Sequence, residues 1–331
     1  MARALMSALH YGDHHVTIAS TLRSREPKGS ETAQKALIAQ AAAEIDTCLA
    51  LPAVRAAQVW LTYHNYYKAP DLVGPVVSRK LGIPYVQIES TRARKRLDGP
   101  WANFAARSED AAESADTIIY LTAHDEVALR AYAPALQKLR HLPPFLNRTT
   151  LPKLGHRNGS ILSVGMMRYG DKLRSYQIIT ETLQKTPGEW HINIAGDGEA
   201  RKEVEALMAP VADRVTYLGA LSSENLAAQY ADASVLFWPG VNEAYGMTYL
   251  EARAAGLPVV AQDRPGVRDV AGPHLTAQDK GADGLAQQLR IWLDNPNIRI
   301  AAGDTARQEI AKTHLLPPAS ARLSEILEEV T

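Results

Sequence analysis

The stretch SVLFWPGVNEAYGMTYLEARAAGLPVVAQ, residues 234–262, decides the fold. SVLFWP is a short apolar run bounded by proline and glycine, MTYLEARAA is built of residues compatible with a helix, and LPVVAQ is a second β-rich run. Strand, helix and strand in succession form the repeating unit of a parallel, doubly wound sheet.

The same alternation extends in both directions. HVTIAS (15–20), AQVWLTY (57–63), PYVQIE (84–89), DTIIYLT (116–122), SILSVG (160–165), WHINIAG (190–196) and RVTYLG (214–219) read as further strands separated by helix-period sequence. LPPFLNRTTLPKLGHRNG (142–159) has no period and gathers prolines, glycines, threonines and basic residues. The expected architecture is therefore α/β: two Rossmann-like domains, 1–145 and 160–315, facing across a cleft and joined by a linker at 146–159. A C-terminal helix is expected over 316–331, where Leu323, Ile326, Leu327 and Val330 fall at helical spacing. The first domain opens unusually. MARALMSALHYGDHHVTIAS reads as helix then strand, so this domain is expected to lack the strand and glycine-rich turn that normally come first.

Composition permits two full cores in 331 residues, with 46% apolar and 22% charged residues as in a globular protein. Thirty-six basic residues balance 36 acidic ones, so no global field attracts nucleic acid. The single cysteine, Cys48, excludes a disulfide framework and points to a reducing cytoplasm. No apolar run approaches the roughly 18 residues that span a bilayer, and no signal-peptide core is visible.

Chemistry concentrates where helix MTYLEARAA begins. The unsatisfied amides of Gly246, Met247 and Thr248, together with the helix dipole, suit a diphosphate, and glycine lets an anion approach the backbone. Helical side chains lean toward the N-terminus, so Glu251 can point back to the same place and accept two hydrogen bonds from a ribose diol. Glu243, on the preceding loop, reaches the other side of the diphosphate. On spacing alone, two acids that merely decorate a helix N-terminus fit equally well. Arg168 and Lys172, in the MMRYGDK segment after another strand, are cations suited to a departing diphosphate, or simply solvated loop residues. AGDGEAR (195–201) has only a GxG, which does not support a dinucleotide fingerprint.

The ordered series SVGMMRYGDK, IAGDGEAR, RVTYLGALSSENLAAQYADASVLFWPG and EAYGMTYLEARAAGLPVVAQDRPGVRDVA resembles the retaining GT-B glycosyltransferases of the family 4 type, through nearly all of the second domain. Two glutamates with seven intervening residues are a hallmark of that family. The resemblance implies that Glu243 lies near the donor sugar, that Glu251 holds the ribose, and that Gly246, Met247 and Thr248 underlie the phosphates. It further implies that Lys172 meets the diphosphate and that Ala220 and Leu221 lie against the nucleobase. The family usually has arginine directly after the strand-end glycine, where this chain has Met166; Arg168 is the available substitute. Members of that family often have proline-serine where this chain has Pro239-Gly240.

In the first domain, YHNYYKAPDLVGPVVSRKLGIPYVQIES is similar to the corresponding family segment, with Glu89 where a histidine is often found. His64, Glu89 and Arg92 are the acceptor-side candidates, although a histidine or glutamate at a strand end is as often a structural hydrogen-bonding residue. STRARKR (90–96) is a basic patch suited to a phosphorylated or lipid-linked acceptor or an anionic membrane surface, or simply an exposed loop.

The implied activity is transfer of a sugar from a nucleoside diphosphate donor to an acceptor hydroxyl, with retention. No metal or other cofactor is expected, since no DxD motif or His/Cys cluster has metal spacing. A cytoplasmic protein, at most peripheral to the inner face of a membrane, is expected. Two other readings remain open: a nucleotide-sugar epimerase or sugar-phosphate synthase of the same plan, and a catalytically silent nucleotide-binding protein.

Overall fold

Strands buried on both faces read as continuous apolar runs, because helices cover each side of a parallel sheet. Of β1 (Trp60–Asn65), β2 (Tyr85–Ser90), β3 (Thr117–Tyr120), β4 (Lys138–His141), β5 (Ile161–Val164), β6 (Ile192–Ala195), β7 (Val215–Gly219), β8 (Val235–Phe237) and β9 (Val259–Val260), that is the state of β2, β3, β5, β6, β8 and β9. The edge strands β1, β4 and β7 are only partly buried. The computed structural model describes residues 1–331. It divides into two units, Met1–Pro143 with Ala319–Thr331, and Pro144–Pro318.

In the first unit the four strands pair in the parallel order β1-β2-β3-β4. Ser30 caps helix Glu31–Ala50 by accepting from the Ala33 amide. Ala41 and Cys48 of that helix pack with Val54, Trp60, Tyr85 and Ile118. HVTIAS is not a strand. Residues 15–20 join no ladder; Ala19 packs on the core and its carbonyl accepts from Cys48, while Ile18 stands 63% exposed. β-branched composition makes a strand only where the backbone also pairs, and residues 15–20 make no such pairing. The strand that sequence reading passed over is KLRH, an edge whose Lys138 and Arg140 bond to Glu329 and blunt it with charge.

The second unit holds the order β7-β6-β5-β8-β9, all parallel. Connections run outward from β5 to β6 and β7, then return to β8 beside β5. The sheet therefore has its topological switch point between β5 and β8, where open α/β sheets receive ligands at the carboxyl ends of their strands. Tyr176, Ile179 and Leu183 of helix Asp171–Gln184 cover the same core as Ile161, Ile192 and Val235. Residues 146–159, expected as a linker, are irregular but lie against this unit. Leu146 is 5% exposed in its core and Arg157 pairs with Asp304. The last helix, Leu316–Glu328, forms where expected, and from Ala319 onward it counts with the first unit.

Candidate active site

The two loops bordering the switch point are Gly165–Gly170, after β5, and Trp238–Gly246, after β8. The second loop ends at Gly246, with φ 82°, and helix Met247–Ala254 follows without a side-chain cap. Only the Tyr249 amide folds back onto the Gly246 carbonyl, so the amides of Gly246, Met247 and Thr248 have no hydrogen-bond partner in the protein. An uncapped helix start with open amides is the arrangement that binds anions. Beneath it lies Tyr249, fully buried, its hydroxyl donating to the Trp238 carbonyl over 3.0 Å. A Cβ on Gly246 would come within 2.6 Å of that ring, and one on Gly240 within 2.4 Å of its hydroxyl. With φ 78° at Gly240 as well, glycine at this position follows from Tyr249.

Lys172, in the first turn of the helix after β5, forms an ion pair with Oε1 of Glu243, and Trp238 Nε1 donates to that same oxygen over 2.9 Å. Asn242 Nδ2 donates to Asp171 Oδ2 at 2.7 Å and the Val241 amide to Ser175 Oγ, so the Glu243 loop is tied to the helix that carries Lys172. Arg168 is exposed, and its side chain makes no hydrogen bond or ion pair.

Glu251, one helical turn past Met247, is half-buried and accepts a 2.9 Å hydrogen bond from the Tyr230 hydroxyl. Burial pushes the Glu251 carboxyl above the usual carboxylate range, with the Tyr230 bond and the Arg148 charge opposing it. The Tyr230 phenol is raised well above its ordinary value, by burial first and then by the Glu251 charge. Ala220 and Leu221 follow β7. Ala220 is exposed, Leu221 packs on the core, and Ser222 caps the next helix through the Asn225 amide.

In the first unit, His64 and Glu89 stand at the carboxyl ends of adjacent strands, between the paired residues Tyr63↔Ile88 and Asn65↔Ser90. Both have left-handed backbones, φ 76° and 57°. Such conformations cost on the order of 1–3 kcal/mol each and cluster at functional sites. His64 is exposed, with its ring edge-on to Tyr66 at 4.8 Å, and Oε2 of Glu89 is buried without a partner.

Arg92 does not lie on an acceptor surface. Its side chain is 0% exposed and its Nη1 pairs with Glu109 at 2.9 Å. Just past the end of β2, Arg92 turns inward, toward Glu109 and Glu113 of helix Ala102–Ser114. The rest of the basic run, Arg94–Arg96, forms a short 3-10 helix. Arg94 lies over the Tyr132 ring at 4.9 Å, and Arg96 lies over Tyr67 at 5.2 Å.

Two parallel α/β units, the second with an uncapped helix start at its switch point, define the class of a GT-B glycosyltransferase fold. Residues 159–295, all within the second unit, match the family described as Glycosyl transferases group 1. The chain is 27% identical to an alpha-D-kanosaminyltransferase of Streptomyces kanamyceticus, across 77% of this chain and 73% of that protein. It is 28% identical to the sulfoquinovosyl transferase SQD2 of Arabidopsis thaliana, where the match spans 42% of this chain and only 28% of the relative's length. Among solved structures it resembles sucrose-phosphate synthase from Thermosynechococcus elongatus, with TM-score 0.72 and 17% identity over 99% of this chain and 92% of that one. It also resembles Anabaena HepE, solved with UDP and glucose, with TM-score 0.67 and 16% identity over 92% and 84% of the two chains. No helix of the protein is long and apolar enough to cross a membrane.

Trp238, Tyr230 and Tyr249 belong to the site, and sequence reading did not select them. Trp238 reads as a strand residue in SVLFWP, Tyr249 as a helix residue, and nothing in the spacing of Tyr230 ties it to Glu251.

Proposed function

We propose that the protein transfers a sugar from a nucleoside diphosphate sugar to an acceptor hydroxyl, with retention of configuration at the transferred carbon. The observation that carries this reading is the open helix start at 246, flanked by Glu243 with its lysine on one side and Glu251 on the other. In this assignment the amides of Gly246, Met247 and Thr248 receive the diphosphate, Glu251 accepts from the ribose hydroxyls, and Ala220 and Leu221 lie against the base. Glu243 orients the donor sugar. Lys172 and Arg168 neutralise the charge that grows on the leaving diphosphate, the largest electrostatic change of the reaction. Attack on the face from which the diphosphate departs lets a leaving-group oxygen accept the acceptor's proton, so no separate strong base is required and no metal ion is invoked. The complex of HepE with UDP and glucose supports a donor of this class. On the acceptor side, His64 and Glu89 are the proposed contacts, and exposed Arg94 and Lys95 suit an acceptor carrying phosphate, free or on a lipid. A cytoplasmic protein, at most peripheral to a membrane, accords with its free buried Cys48.

The test is calorimetry with UDP and GDP, followed by incubation with labelled nucleotide sugars and product analysis. Micromolar nucleotide binding and an acceptor conjugate of retained configuration are expected. Free epimerised sugar without any conjugate, or binding without turnover for any donor, would remove the transferase reading.

A further inference from the structure

At the start of the loop after β8, the Trp238 side chain meets both members of the Glu243–Lys172 pair. Trp238 is 1% exposed, and its indole N–H donates to Glu243 Oε1 over 2.9 Å. The Lys172 ammonium, paired with that same oxygen, lies 5.3 Å from the Trp238 ring centroid. The Trp238 carbonyl accepts from Tyr249, whose ring lies directly under Gly246. The indole is itself held in place: Tyr176 meets it edge-on at 5.4 Å, and the space it fills is the one left open at Gly165, where a Cβ would come within 2.5 Å of the ring. Phenylalanine or leucine would fill a strand end as well. Neither has an N–H to give.

We infer that Trp238 is a positioning residue that keeps the Glu243 carboxylate aimed while Lys172 exchanges that carboxylate for the donor's diphosphate. The inference rests on the transferase reading above. Without donor, Glu243 is the counter-ion of Lys172. When a diphosphate takes the lysine, Glu243 loses its only ion-pair partner and is left with one hydrogen bond, from the indole, to fix its direction. A single neutral N–H holds a carboxylate without cancelling its charge, so Glu243 remains a full acceptor for the donor sugar's hydroxyls. The ring face beneath Lys172 eases the exchange, because the ammonium keeps its cation–π contact when it leaves the carboxylate.

The experiment is a double-mutant cycle in the full chain with Trp238→Phe and Glu243→Gln, read by turnover and by urea unfolding without ligand. Trp238→Phe keeps the ring and removes the N–H. It should lower kcat about tenfold with donor KM changed less than about threefold, and in the Glu243→Gln background it should change kcat less than about twofold. Losses that multiply, or a lowered urea midpoint with kcat unchanged, would show Trp238 to be packing only. Without turnover, the urea cycle still decides the link: midpoint shifts that simply add would overturn it. Wild-type turnover, measured first, separates failure of this inference from failure of the transferase reading.

Discussion

The Tyr230 hydroxyl donates to Glu251 Oε2 over 2.9 Å, from a side chain only 4% exposed in the core of the second unit. A carboxylate held in this way by a buried phenol has its remaining acceptor positions fixed in direction. Glu251→Ala should weaken UDP or GDP binding by about 1.5–3 kcal/mol, the worth of hydrogen bonds to a charged group. Tyr230→Phe leaves the carboxylate in place but less well aimed, and should cost about 0.5–1.5 kcal/mol. Calorimetry distinguishes them, and unchanged affinity in Glu251→Ala would count against the ribose assignment.

Because burial raises the Glu251 carboxyl above its unfolded value, the folded state holds that proton more tightly than the unfolded chain does. The sign follows: this group favours folding below its unfolded pKa, and that contribution is lost as pH rises through the folded pKa. Above its folded pKa, Glu251 is therefore an ionised group in a partly desolvated place. Glu251→Gln should raise the thermal midpoint at pH 7–8, with the advantage over wild type shrinking as pH falls toward 4. Melting curves across that range would show a constant offset if the carboxyl were unperturbed.

Lys172 and Arg168 differ in readiness. Lys172 is 26% exposed and held at Glu243, whereas Arg168 is exposed with no partner. Removing a preorganised charge that stabilises a leaving group costs on the order of 10²–10³ in kcat. Lys172→Ala should show a loss of that size, and Arg168→Ala one smaller by about tenfold or more, since ordering a free side chain offsets its gain. Equal losses would mean that Arg168 adopts a fixed place with donor bound.

How much of this was visible in the sequence depended on whether the cause was local. Strands such as SVLFWP and DTIIYLT were legible because burial on both faces demands apolar, β-branched runs. The helix start at Gly246 and the family resemblance located Glu243 and Glu251, but not Trp238 or Tyr230, whose roles come from contacts made across the fold. HVTIAS has a strand's composition but joins no ladder, because pairing is a contact across the fold that composition does not set. KLRH is a strand despite its charges because Glu329, distant in sequence, receives them. Within STRARKR, composition cannot separate Arg92, turned inward toward Glu109, from Arg94, which faces solvent.

Gly240 tests the local steric argument. Its φ is 78°, and a Cβ would come within 2.4 Å of the Tyr249 hydroxyl and 2.9 Å of Val267. Gly240→Ser should destabilise the protein by about 1–3 kcal/mol through backbone strain alone. Adding Tyr249→Phe removes the nearest atom and should not worsen the loss in proportion, so the two effects should be less than additive. Urea titration of the single and double variants gives the answer; strict additivity would mean that the loop shifts away from Tyr249 unaided.

The buried pair in the first unit gives the sharpest contrast between a structural and an acceptor-side role. Arg92 meets Glu109 at 2.9 Å with side chains 0% and 9% exposed, while its Nε and Nη2 are buried without partners. Removing one member of such a pair leaves the other charge desolvated and costs about 3–5 kcal/mol. Replacing both with apolar residues of similar volume is often neutral or better, because two desolvation penalties disappear together. Arg92→Leu should therefore lower the urea midpoint sharply, and Arg92→Leu with Glu109→Leu should recover most of it. Neither should change the acceptor KM of the folded fraction by more than about twofold. A raised acceptor KM in Arg92→Leu, with the urea midpoint unmoved, would return this arginine to the acceptor surface.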